Sequence, residues 1–85
     1  MKSFEYTIKD ELGIHARPAG LLAKRAKEFE SEITLTKGER SALCSRLLSL
    51  MSLGIKQGDT ERVSVVGSDE DAAAEAIKEF FERNL

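Results

Sequence analysis

Residues 13–27 read GIHARPAGLLAKRAK, and this run holds the only histidine and the only proline of the chain. Pro18 has no N–H and a fixed φ, so it suits the first turn of a helix and no later one. His15 therefore stands at a helix N-terminus. Beyond it Ala19, Leu22, Ala23 and Ala26 recur at i, i+3, i+4 and i+7, the spacing that lines one buried face. Arg17, Gly20 or Leu21, Lys24 and Lys27 run along the flank at the same period, a cationic strip with no acid before Glu28. The helix is expected to end near Phe29.

Anion handling beside a nucleophilic imidazole is the chemistry this arrangement suits. The first N–H groups of a helix lack intrahelical partners, and the helix dipole adds partial positive charge there, so phosphate or carboxylate is favoured. Arg17 adds a planar, permanently charged fork matched to phosphate oxygens. A positive field opposes a second positive charge on the ring, which favours the lone pair that a nucleophile needs. A lone histidine is as often a plain surface residue as a functional one. Proline and arginine this close weigh against the plain reading.

Outward from this helix, Phe4, Tyr6 and Ile8 alternate with Ser3, Glu5 and Thr7, the period of a half-buried first strand. Asp10 to Gly13 then turns the chain. Downstream, Ser31, Ile33 and Leu35 start a second alternation, and Lys37 with Gly38 reads as a hairpin turn. The return strand, about Arg40 to Cys44, places Ala42 and Cys44 inward and Leu43 outward; its propensity is poor, so it is read as an edge. From Arg46 to Leu53 the apolar residues are too many for one face of a short helix. Leu50 and Leu53 are expected in the core, and Leu47, Leu48 and Met51 on an exposed docking patch. Gly54 stops the helix.

Gly58 and Asp59 lead into a final strand with Val63 and Val65 inward and Ser64 outward, a register that also turns Glu61 inward. A carboxylate there is costly without a partner, so the strand's start is expected to fray or Glu61 to reach solvent at the sheet's end. Ser68 with Asp71 resembles a capping box, and Ala73, Ile77, Phe80, Phe81 and Leu85 give the last helix its core face. The order β-α-β-β-α-β-α implies an α+β fold, a four-stranded antiparallel sheet with three helices packed on one face.

The bulk properties narrow the partners. Eighty-five residues make a single domain, 1–85, with 41% hydrophobic and 33% charged residues. The net charge of −2 is unevenly placed: Arg17, Lys24, Arg25 and Lys27 lie early, while Asp69, Glu70, Asp71, Glu75, Glu79 and Glu82 lie late. With a negative balance and no interleaved aromatics, an acidic protein surface is a better partner for the basic strip than nucleic acid. A lone cysteine, Cys44, excludes an intrachain disulfide and reads as a small buried hydrophobe. No glycine-rich phosphate loop, metal-ligand spacing or catalytic triad stands out, so no metal or cofactor is expected. No apolar run reaches the length of a signal or membrane segment, which points to the cytoplasm and away from membranes.

GIHARPAG is similar to the active-site signature of the HPr family, the phosphocarriers of the bacterial phosphoenolpyruvate-dependent sugar phosphotransferase system. The likeness covers the whole chain, because the first strand, the segment LLSLMSLGIKQGD and the closing acidic helix follow in the family's order without a gap. It implies an HPr-like open-faced β-sandwich and a phosphoryl carrier rather than an enzyme. By this resemblance His15 takes phosphate on Nδ1 from enzyme I and passes it to sugar-specific enzyme IIA domains. Arg17 then steadies the phosphoryl group, and Ala16, Arg17 and Pro18 form the phosphate-binding helix start. Gly20, Leu21, Lys24, Lys27, Leu47, Leu48 and Met51 make the partner surface of a monomer, with a transcriptional regulator as a further partner.

In one place the chain departs from the pattern. Many HPr-like proteins carry a kinase-targeted serine at the start of the short second helix, where this chain has Arg46. Ser45, its neighbour, is read as the helix N-cap, and the chain is expected to escape serine control. The competing reading, a regulatory module of the same fold that binds a transcription factor or enzyme without phosphotransfer, is opposed by His15, which such relatives lack. A small-molecule-binding α+β domain finds no pocket-forming feature in the sequence.

Overall fold

Alternating segments become strands, and periodic segments become helices, throughout the computed structural model, which describes residues 1–85. In chain order the elements are β1 (Lys2–Thr7), α1 (Ala16–Ala26), β2 (Glu32–Lys37), β3 (Arg40–Leu43), α2 (Leu47–Ser52), β4 (Thr60–Val66) and α3 (Glu70–Asn84). The strands form one antiparallel sheet in the order β1-β4-β2-β3. Ile33, Leu35, Val63 and Val65 vanish from solvent because β2 and β4 are central, while Val66 at the end of β4 stays exposed on the other face; β3 is an edge, as its propensity suggested.

The register explains which face is covered. Phe4, Val63, Leu35 and Ala42 stand in one row across the four strands, and Val65 and Ile33 in the next, all on the helix side. The other side carries the row Glu5, Arg62, Thr36 and Ser41 and stays open to water, the usual asymmetry of an antiparallel sheet covered once. Helix α3 lies over β1 and β4, α2 packs on β3, and α1 packs against both other helices. Phe81 is wholly buried, with its ring edge-on to Tyr6 at 5.4 Å and to Phe4 at 6.2 Å. Each such aromatic pair is worth about 0.5–1.5 kcal/mol beyond the area it buries.

Several local expectations are corrected by the hydrogen bonding. Helix α1 ends at Ala26 rather than Phe29, because the N–H groups of Glu28 and Phe29 bond three residues back, to Arg25 and Ala26, and tighten the last turn. The hairpin turn is Gly38–Glu39, one residue later than Lys37–Gly38, since Lys37 pairs with Arg40. Gly38 alone has positive φ there, 60°, which is the demand of a two-residue turn with glycine first. The N-cap of α2 is Arg46, not Ser45, and no side chain caps it.

The capping box does not form. Asp69 is the N-cap of α3, but its carboxylate turns away to accept the N–H groups of Glu30 and Ser31, each at 2.9 Å, and the Ser31 hydroxyl. Ser68 donates to the Glu30 carboxylate at 2.9 Å, and the cap contact that remains is the Gly67 N–H on Glu70 at 3.2 Å. These bonds, the Ser31 hydroxyl first, hold the Asp69 carboxyl below the usual carboxylate range. They also staple the α1–β2 connection to the start of α3.

Glu61 is the sharpest correction. Strand β4 is paired from its first residue, Thr60 with Thr7, so its start does not fray. Glu61 faces inward opposite Tyr6, is 1% exposed, and neither carboxylate oxygen has a hydrogen-bond partner. Burial, then the nearby Asp59 carboxylate, pushes its pKa up to about 7 against the opposing pull of Lys37. The Lys37 ammonium is engaged elsewhere, 2.9 Å from Asp59 and 2.8 Å from the Gly54 carbonyl.

Candidate functional site

The turn before α1 is built to aim His15. Asp10 accepts the Leu12 N–H on its side chain at 2.9 Å and the Gly13 N–H on its carbonyl at 3.0 Å. Gly13 has φ +65°, and a Cβ there would lie 2.3 Å from the Ile55 carbonyl oxygen. Only glycine lets the turn approach so closely. Ile14 then donates to that same oxygen at 3.2 Å, which fixes the backbone immediately before His15.

His15 is the N-cap of α1, in extended conformation, and its carbonyl accepts the Ala19 N–H at 3.0 Å. Its ring is not spent on capping the helix, and the residue is partly exposed. Ala16 and Arg17 carry first-turn N–H groups that no intrahelical carbonyl can reach, Pro18 carries none, and no acid lies in that turn. The sequence therefore builds an imidazole beside two free donors and the positive end of a helix.

A shallow open depression of about 250 Å³ lies here, lined by His15, Arg17, Pro18 and Leu21 of α1, by Asp10, and by Arg83 and Asn84 of α3. The last three were not legible in the sequence as site residues. The main-chain oxygen of Leu85 brings them in by accepting the N–H groups of Lys9 at 2.6 Å and Asp10 at 2.9 Å. Such a site can hold a tetrahedral anion against an imidazole and still leave it open to a macromolecule. No group of three His, Cys, Asp or Glu side chains is arranged to hold a metal ion.

The other predicted residues fall on two helices that touch. Gly20 is half-buried, Leu21 and Lys24 are exposed on α1 and Lys27 at its C-cap, and Leu47, Leu48 and Met51 are exposed on α2 while Leu50 and Leu53 are buried as expected. Arg17, Lys24, Lys27 and Arg46 form no ion pair within the chain, in contrast to Arg25 and Arg83, each of which meets a neighbouring glutamate. The charge of the strip is thus not neutralised by an ion pair within the chain. Ser45 is half-buried, outside α2. Cys44 is buried, and desolvation pushes its thiol up to about 12, consistent with a packing role. No helix is long and apolar enough to cross a membrane.

Comparison with known proteins agrees with this geometry. The family profile "PTS HPr component phosphorylation site" matches residues 2–83. Phosphocarrier protein HPr of Mycoplasma genitalium is 44% identical over 86 residues, covering 99% of this chain and 97% of that protein. Its Mycoplasma pneumoniae counterpart is 42% identical with the same coverage. Among solved structures, a Mycoplasma histidine-containing phosphocarrier protein superposes with TM-score 0.90 at 37% identity, covering 93% of this chain and 90% of that one. Crh of Bacillus subtilis, a swapped dimer, superposes with TM-score 0.79 at 26% identity, covering 94% and 92%. With the family profile, the relatives and the fold in agreement over nearly the whole length, the chain belongs to the HPr family of phosphocarrier proteins of the phosphotransferase system, carriers rather than enzymes.

Proposed function

We propose that this protein carries a phosphoryl group on His15 Nδ1, taking it from enzyme I and giving it to enzyme IIA domains in the cytoplasm. The observation that carries the reading is the chain's only imidazole, partly exposed at the N-cap of α1 beside two free N–H groups and Arg17. In the loading step the Nδ1 lone pair attacks phosphorus in line, the N–P bond forms, and the bond from phosphorus to the donor breaks with its electrons leaving on the donor. Delivery reverses this towards a nucleophile on the acceptor. The first-turn N–H groups and Arg17 stabilise the equatorial oxygens while charge is shared between donor and acceptor.

Gly20, Leu21, Lys24 and Lys27 with Leu47, Leu48 and Met51 form the surface on which both partners dock, apolar in the middle and positive at the rim. The apolar centre sets the lifetime of the complex, and the unpaired cations set the encounter rate with acidic surfaces. A transcriptional regulator would use the same face. In this reading residues 1–85 act as one domain and as a monomer. Ser45 plays no regulatory part, because a kinase that reads serine at the N-cap of α2 meets Arg46 there. Incubation with phosphoenolpyruvate and enzyme I, followed by phosphorus NMR, tests the proposal: one acid-labile, base-stable phosphorus on an imidazole nitrogen is expected, and an unmodified protein would refute it.

A further inference from the structure

A phosphoryl group on an imidazole is close to dianionic at neutral pH, and the depression that would receive it has two unlike walls. On one side are the first turn of α1 and Arg17, both favourable to an anion. On the other side are the Asp10 carboxylate and the last turn of α3, where a helix presents its carbonyl, partially negative end. Left to these alone, the far wall would repel the group that the near wall attracts. Arg83 stands on that far wall.

Arg83 is free to answer the charge. Its only ion pair is an exposed i,i+4 contact with Glu79 at 2.9 Å, and its side chain is 75% exposed. A surface pair of this kind is weak, so the guanidinium loses little by leaving it for a phosphate, which it can meet with two parallel N–H bonds. Its backbone is meanwhile held in place, because the neighbouring Leu85 oxygen accepts Lys9 and Asp10 N–H groups and Asn84 Nδ2 donates to the Phe80 carbonyl at 3.0 Å. The side chain is exposed and lightly held, and its anchor is fixed by backbone hydrogen bonds.

From this placement we infer that Arg83 is a second guanidinium clamp for the His15-borne phosphoryl group, facing Arg17 across the depression and bridging α1 to the end of α3. The inference rests on phosphorylation at His15. Loading the carrier then tightens the contact between the two helices, and the clamp protects phosphohistidine from water while the carrier moves between partners.

The full chain and its Arg83→Ala, Arg83→Lys and Arg83→Glu variants are phosphorylated with phosphoenolpyruvate and enzyme I and titrated by phosphorus NMR. Loss of a facing cation favours the protonated phosphoryl group, so its second pKa should rise by roughly 0.3–1 unit in Arg83→Ala, further in Arg83→Glu, and least in Arg83→Lys. The melting temperature should rise on phosphorylation by less in Arg83→Ala than in the parent, with the unphosphorylated proteins alike. If the parent chain takes phosphate but the titration curves of parent and Arg83→Ala superpose, the clamp is overturned and the carrier reading stands. If the parent takes no phosphate on His15, both fall together.

Discussion

His15 and Glu61 are two polar side chains with opposite settings. His15 is partly exposed at a helix start and is not used to cap that helix, whereas Glu61 is 1% exposed with both oxygens unpaired. Water lets the imidazole stay available at little cost. Inside the sheet, the enclosed carboxyl has no hydrogen-bond partner in the chain and resists ionising. The same connection between α2 and β4 serves both: Ile55 holds the backbone before His15, and Asp59 and Gly54 engage the lysine that could otherwise neutralise Glu61. Availability at one end and protonation at the other are thus set by one loop.

The strongest way to break this comparison is Gly13→Ala, which puts a Cβ 2.3 Å from the Ile55 oxygen at a φ of +65°. A loss of about 2–4 kcal/mol is expected from strain and displaced backbone together, read by denaturant unfolding, with phosphate acceptance slowed in whatever folds.

Glu61→Val sharpens the other half. A carboxyl whose pKa is raised by folding from the ordinary 4.5 to about 7 keeps more protons folded than unfolded, so stability falls as pH climbs through that window. Glu61→Val should gain on the order of 2–3 kcal/mol at pH 8, little from this source below pH 4.5, and should flatten the pH profile between the two. An unchanged slope from pH 4.5 to 7 in the parent protein would show that Glu61 ionises freely.

Reversing Lys24 and Lys27 to Glu touches only the exposed side of the comparison. Since neither lysine has an internal ion pair, the fold should keep its stability within about 0.5 kcal/mol. Phosphotransfer should slow about tenfold or more at low salt, and less at high salt, in stopped-flow measurements of transfer from enzyme I. Smallest of all is the effect of Ser45→Ala, expected to leave transfer unchanged; mass spectrometry after exposure to ATP and a serine kinase of the family should find Ser45 unmodified.

Most of the fold could be read from the chain because it is written in short periods. Alternation placed Phe4, Ile33, Leu35, Val63 and Val65 on the covered face, and the helical period placed Leu22, Leu50 and Ile77. Proline beside histidine placed His15 at a helix start. What escaped depends on residues distant in sequence. Asp69 and Ser68 were taken from α3 capping by Glu30 and Ser31 of another loop, a competition no local motif records. The inward turn of Glu61 was legible, but not its full enclosure, which depends on residues distant in sequence such as Tyr6 opposite it. Arg83 and Asn84 reach the depression only because α3 returns across the sheet, so nothing in their local sequence announced them.

On the proposed function, the exposed imidazole, and nothing else in this chain, carries the phosphoryl group. Phosphorus NMR of the parent and His15→Ala proteins after incubation with phosphoenolpyruvate and enzyme I measures it directly. A single phosphorus resonance on Nδ1 is expected in the parent, none in His15→Ala, and matching melting temperatures for the two unphosphorylated proteins. A phosphorylated residue that persists in His15→Ala, stable in base and labile in acid, would contradict it.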